Sequence, residues 1–396
     1  MLAFVMVFTG MGIGSWGVDT AWATGESESS PTSTVWDGTA ISEPQQVDGV
    51  YQISTGAELA WFAAKVNDGT AGNANAVLID NIDLGSNEWT PIGNATKQYT
   101  GVFDGEGYSI SNLTITKGTM YMGLFGYINN GGTVQNLDVQ GQITVSKYTI
   151  SKRLFVGGIC GYALGNVIKC KSSVGIKLQD CNSGDIYVGG ICGFLGKNKT
   201  NYFVDGCENH GSIYCKADPG SNRNTISIAG IAGSVMSARI NASMNSGDIE
   251  TILTGFGKMY YAGITNLNSV FPEIKIHIDN CYNVGRVEGK VKSNKGGQVL
   301  CGGGIIGTFP TTKQEYYPTN CSYLEGTAST GMSDSQGKAI TDAKGISIKS
   351  EAELKSDAFL AELNNAETIT AYIASWTRGT ADGYPDVSSL TKGEGI

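Results

Sequence analysis

Charge is what this chain has least of. Lys, Arg, Asp and Glu make up 16% of its 396 residues, against roughly 25% in an ordinary globular protein. The 27 Lys and Arg are outnumbered by 36 Asp and Glu, and they do not cluster. Nucleic-acid binding needs clustered cations to neutralise phosphates, so no nucleic-acid partner is expected, and an anionic membrane surface is disfavoured for the same reason. Pro is scarce, at 8 residues, which argues against a disordered Pro/Gly-rich polymer. The only histidines are His210 and His277, so any Ser-His-Asp or Cys-His centre has to use one of them. No HExxH and no CxxC occur, which removes that type of zinc peptidase and makes a structural zinc site unexpected.

What the chain has in excess is glycine, 56 residues, about twice the usual share of ~7%. The hexapeptide VGGICG stands at 156–161 and again at 188–193. Neither copy is followed directly by Lys-Ser or Lys-Thr, and strand-like segments come next, so a phosphate-binding loop is rejected. A G-[LI]-x-G core recurs instead, with paired glycines Gly123/Gly126, Gly158/Gly161, Gly190/Gly193, Gly230/Gly233 and Gly304/Gly307. A degenerate copy begins at Gly263, and successive copies start 35, 32, 40, 33 and 41 residues apart. A second element, N-x-G-x-[IV], begins at Asn182, Asn209, Asn245 and Asn283, with Cys or Ser one or two residues ahead of it. Between the glycines the sequence alternates apolar and polar with period two, and Asn-x-Gly steps read as the positive-φ positions of tight turns.

One such unit holds about three short strands and cannot bury its apolar face alone; stacking on the next unit does. The expected architecture is all-β, a right-handed parallel β-helix, its hand taken from the general rule for parallel crossovers. Longer insertions, at 216–225 and 291–298, belong on the outside. Short helices are expected to cap the solenoid near both ends. Thr55 and Glu58 have capping-box spacing, with Asn67-Asp68-Gly69 as the stop, and Ser350 and Glu353 repeat that spacing ahead of Leu354, Phe359, Leu360 and Leu363.

The N-terminus has an apolar run at 2–8 and an A-x-A pattern at 21–23, though no basic residue precedes the run. It reads as a signal peptide over 1–23, followed by a polar linker over 24–49. Residues 50–115 then form a cap helix and first coils, 116–326 the repeats, and 327–396 a C-terminal cap region with one helix. The mature chain is expected to be secreted or at the cell surface, with no membrane span. Export would favour disulfides, but the nine cysteines are an odd number and several fall at equivalent repeat positions. Mostly free, buried thiols are expected.

Gly123-Leu124-Phe125-Gly126 resembles the GLUG motif, and the G-I-x-G copies resemble its relaxed form. The run 54–115 is similar to the portion that often precedes GLUG repeats in bacterial surface proteins, and 382–387 to their end. This resemblance covers roughly residues 50–390 and implies an exported bacterial, adhesin-like β-helical protein. GLUG repeats accompany separate protease domains in some relatives. No LPxTG signal or apolar C-terminal tail is present, so covalent wall anchoring is not expected.

Chemistry is sparse. The stretch FDGEG at 103–107 looks like the first coil of β-helical pectin hydrolases, but the chain has neither their adjacent Asp-Asp nor their Gly-His-Gly. Asp80/Asp83 and Asp104/Glu106 have spacings open to acid–base work or Ca²⁺, although Asp104 before Gly105 reads more simply as a turn residue bonding its own backbone. No catalytic, metal or cofactor site is therefore expected. Tyr121, Tyr148, Tyr187, Tyr260, Tyr261, Tyr282, Tyr316 and Tyr317 offer flat surfaces for sugars or a protein, with about half expected to pack inward. A non-enzymatic adhesion or recognition scaffold is the leading reading, its partner a polysaccharide or a host or cell-surface protein. A β-helical polysaccharide hydrolase or lyase is the alternative.

Overall fold

The computed structural model describes residues 35–196, 202–218, 224–267, 276–292, 297–309, 318–341, 343–365 and 375–387. The leader at 1–23, Tyr316 and Tyr317, and parts of both insertions lie outside them. The chain is a parallel β-helix. Each turn of chain lays a strand on the one before, in register. Lys171–Gly189 pairs in parallel with Asp138–Ser146 on one side and Ile213–Asp218 on the other, and Ile249–Leu253 and Val287–Val291 continue the stack. A second face runs through Asn166–Ile168, Tyr202–Asp205, Ala238–Asn241 and His277–Asp279. A third runs through Phe125–Ile128, Cys160–Ala163, Cys192–Leu195 and Ala232–Val235.

Period-two alternation becomes columns in such a stack. Ile143, Ile176, Ile213, Ile249 and Val287 sit one above another and are all buried. Each contributes roughly 1.5–3 kcal/mol of apolar burial. Between two faces the chain turns through one left-handed residue per coil: Asn136, Lys169, Ala242, Asn280 and Asn320 have φ near +50°, and Gly206 has φ +62°. After Asn136 comes Leu137; in the other five the next residue is Cys170, Cys207, Ser243, Cys281 or Cys321, and each of these points back to donate to the carbonyl two residues earlier. This explains why Cys and Ser alternate there: both are small and carry a donor.

All nine cysteines are free thiols and buried. Burial pushes Cys160 up to about 12 and Cys301 to about 11, above an ordinary value near 8.5. In the native protein at pH 8 an aromatic disulfide reagent is expected to modify none of the nine rapidly, and all nine after unfolding in guanidinium. Fast native titration of two or more thiols would contradict this packing.

Helix α1, Gly56–Asp68, is capped by the reciprocal Thr55–Glu58 bonds and stopped by Gly69 at φ +92°. It lies within the first coil, and its Phe62 ring packs against Tyr51, Tyr99 and Phe103. Near the other end, Ser350 and Glu353 form the second capping box, over α2, Glu351–Leu354. The chain here forms two helices, because the Ser356 hydroxyl accepts from the Phe359 amide and opens α3, Asp357–Asn365. Leu354, Phe359 and Leu363 pack with Trp376 onto Met244 and Tyr282 on the solenoid flank.

Candidate functional site

The N-x-G elements divide in the structure. Asn209, Asn245 and Asn283 stack in register, fully buried. The Asn209 amide donates to Asn245 at 2.7 Å and Asn245 to Asn283 at 2.7 Å, while each also donates to the carbonyl two residues on. None of them has positive φ, so the expected turn conformation at Asn-x-Gly is corrected to a core ladder. Asn182 is not one of the column: it is exposed, within the long strand, opposite Asp218. The residue aligned with Asn209 is Ser172.

The repeat glycines answer to this ladder. A Cβ on Gly158, Gly190, Gly230 or Gly263 would enter the side chain of Ser172, Asn209, Asn245 or Asn283, respectively. On Gly304 it would enter the Tyr323 ring. A Cβ on Gly161, Gly193 or Gly233 would press on the backbone of the neighbouring strand, one on Gly126 on the Gly93 carbonyl, and one on Gly307 on Asn266 and Tyr261. At Gly123 the Gly157 carbonyl stands in the way.

The acidic pairs are turn fittings. Asp104 Oδ1 accepts from the amide of Glu106 and from Asn136, both at 2.9 Å, and Asp83 Oδ1 accepts from Gly85 N at 2.8 Å and Asn112 at 2.7 Å. Burial, then the neighbouring Asp104 charge, raises the Glu106 carboxyl above its ordinary value. Asp80 accepts from the amide of Asn81. His277 is half-buried, 3.8 Å from Asp279, and His210 is exposed at the variable position of its N-x-G element.

The tyrosines sort by facing. Tyr282 is fully buried, Tyr187 and Tyr260 nearly so, and Tyr121, Tyr148 and Tyr261 half-buried. Tyr121, Phe155 and Tyr187 stack almost parallel at 5.4 and 5.3 Å, and Tyr162 and Phe194 stand edge-on to them. Phe155 at 3% exposure and Phe194 at 8% show a closed cluster rather than an open aromatic face.

A concave surface lies elsewhere, on the outward side of the long face. Gly175 interrupts the column between Gln142 and Ser212, leaving a shallow groove of about 320 Å³. Gln142, Thr144, Lys177, Tyr214, Glu250 and Arg286 line it. Thr144, Lys177, Tyr214, Glu250 and Glu288 are in register, one per coil, at a spacing of about 4.8 Å. The flank is knit by Arg286 to Glu288 at 3.4 Å and Lys290 to Glu250 at 3.3 Å. Tyr214 was missed in the sequence. Its signal was the alternation of Ile213, Cys215 and Ala217 inward, which turns Tyr214 and Lys216 out.

Among the described residues, no helix is long and apolar enough to cross a membrane, and no cluster of three metal-ligating side chains occurs. No protein-family model matches the chain. It is 31% identical over 137 residues to a halomucin of Haloquadratum walsbyi (strain DSM 16790 / HBSQ001), a match covering 31% of this chain and 2% of the halomucin. Among solved structures, a candidate immunoglobulin A1 protease from Bacteroides ovatus covers 89% of this chain and 96% of its own, with TM-score 0.55 and 16% identity. At that identity the likeness speaks to the fold alone: a parallel β-helix is shared, and chemistry is not carried with it.

Proposed function

We propose that this chain is an exported, surface or secreted recognition scaffold whose long β-helical face binds an extended polymer, a polysaccharide before a cell-surface protein. The groove over Gly175 carries the reading. It crosses several coils, offers donors and acceptors of both signs, and holds one flat aromatic, Tyr214, among them. Sugars present hydroxyls for such groups and apolar ring faces for an aromatic. In this reading residues 116–326 are the display section, 50–115 and 327–396 its ends, and 1–23 the export signal. The similarity of part of the chain to a halomucin supports an exported or surface setting. That Asp83 and Asp104 are engaged in turn bonds supports binding over cleavage at those pairs.

The test is the full chain against a panel of bacterial, plant and host polysaccharides, with bound ligand and new reducing ends or unsaturated products read together. Binding without products is expected. Tyr214→Ala should weaken it about tenfold, the equivalent of about 1.4 kcal/mol, with the unfolding midpoint unchanged. Products, or binding indifferent to Tyr214→Ala, would overturn the reading of this groove.

A further inference from the structure

His210 and Ser246 occupy the variable place of N-x-G in successive coils, so the register that stacks Asn209 on Asn245 stacks them as well. The His210 ring bridges two partners: Nδ1 lies 2.8 Å from Ser246 Oγ and Nε2 lies 3.2 Å from Glu208 Oε2. Glu208 is fully buried, yet Lys171 Nζ stands 2.9 Å from the same oxygen and the Val387 amide donates to the other. Burial alone would raise this carboxyl; the hydrogen bond from His210 and the Lys171 ammonium outweigh it, and the group is held below its ordinary value. An ionised Glu208 only accepts, so in the neutral imidazole the proton sits on Nε2 and the Nδ1 lone pair faces the serine hydroxyl.

We propose that Ser246, His210 and Glu208 form a nucleophile–base–orienter relay that transfers and hydrolyses short acyl esters. Triads are recognised by geometry and roles rather than chain order. Here the two ring nitrogens exchange places relative to the familiar serine-protease arrangement, with each role still filled. Ser246 Oγ attacks the ester carbonyl carbon and forms a C–O bond as its proton passes to His210 Nδ1. The bond to the departing alkoxide then breaks, and the alkoxide takes that proton. Water repeats the sequence on the acyl-serine, releasing the carboxylic acid and restoring the hydroxyl. The site is a surface ridge, His210 exposed and Ser246 half-exposed, which suits a small acyl group on a larger carrier. Positioned general-base help is worth roughly 10²–10⁴-fold, so slow turnover of activated esters is expected. This inference does not rest on polymer binding in the groove and can fail separately from it.

The experiment treats the full native chain with a fluorophosphonate probe and maps the adduct by mass spectrometry, with p-nitrophenyl acetate hydrolysis in parallel. A single adduct on Ser246 is expected, absent in Ser246→Ala and at least tenfold slower in His210→Gln, which keeps hydrogen-bonding capacity but supplies no base. Thermal melts of both variants establish that they fold. No adduct, an adduct on another serine, or labelling undiminished in folded His210→Gln would overturn the proposal and leave the three residues as a fold contact.

Discussion

Gly190→Ala is expected to destabilise the solenoid by about 3 kcal/mol or more, a large effect for a one-carbon change. The new Cβ would enter both the Asn209 side chain and the Gly230 carbonyl. Neither can retreat easily. Asn209 is bonded to Asn245 and Gly211, and the Gly230 carbonyl accepts from the Gly190 amide that joins the two coils. The penalty is one of space, since Gly190 is not among the positive-φ glycines. Gly175→Ala is the control: its Cβ would meet nothing nearer than the Gly141 carbonyl at 3.9 Å, and a change within about 0.5 kcal/mol is expected. Asn209→Ser in the Gly190→Ala background should recover only part of the loss, because the Gly230 carbonyl remains. Denaturant unfolding of the four proteins checks this. Equal stability of Gly190→Ala and Gly175→Ala would mean that the coils separate more readily than their register implies.

Much of this architecture was legible before any coordinates. Period-two alternation between recurring glycines specifies stacked coils, and capping-box spacing located α1 and α2 because the two reciprocal bonds need partners three positions apart. Asp104 was readable as a turn residue for a similar local reason. What could not be read depends on facing. The left-handed corner is filled by Asn136, Lys169, Gly206, Ala242, Asn280 and Asn320 in turn, and so mixed a column carries no pattern. Asn-x-Gly has the composition of a turn, but in a stack the amide finds a better partner in the next coil's amide, and the core takes it. The tyrosines were ambiguous because alternation gives the direction in which a side chain leaves the strand, not what covers it there. Tyr187, counted as a surface candidate, turns outward between the core residues Ile186 and Val188 and is covered by Phe155 and Phe194, whereas Tyr214 turns outward into the groove.

Asn245 and Asn182 put the same distinction to a test, since both head an N-S-G-D-I pentapeptide and only the structure separates them. Asn245→Ala removes the middle of the ladder. Asn209 then has no acceptor across the coil, and the Asn283 oxygen and the Gly247 carbonyl each lose a donor, all of them in the fully buried column. Each buried polar group left unpaired costs roughly 1–3 kcal/mol, and linked networks lose more than one bond when cut. The expected destabilisation is therefore about 3–5 kcal/mol. Asn182→Ala removes an exposed side chain from a strand whose backbone pairing to Tyr148 is untouched, and should stay within about 0.5 kcal/mol. Equilibrium unfolding of the two variants, with hydrogen exchange at Gly211 and Gly247 as a local readout, decides the matter. Similar losses for both would return Asn182 to the repeat and show that the column through Ser172 has been misread; a near-silent Asn245→Ala would mean that the ladder is filled by water without cost, and that the glycines above it are conforming to something other than the asparagines.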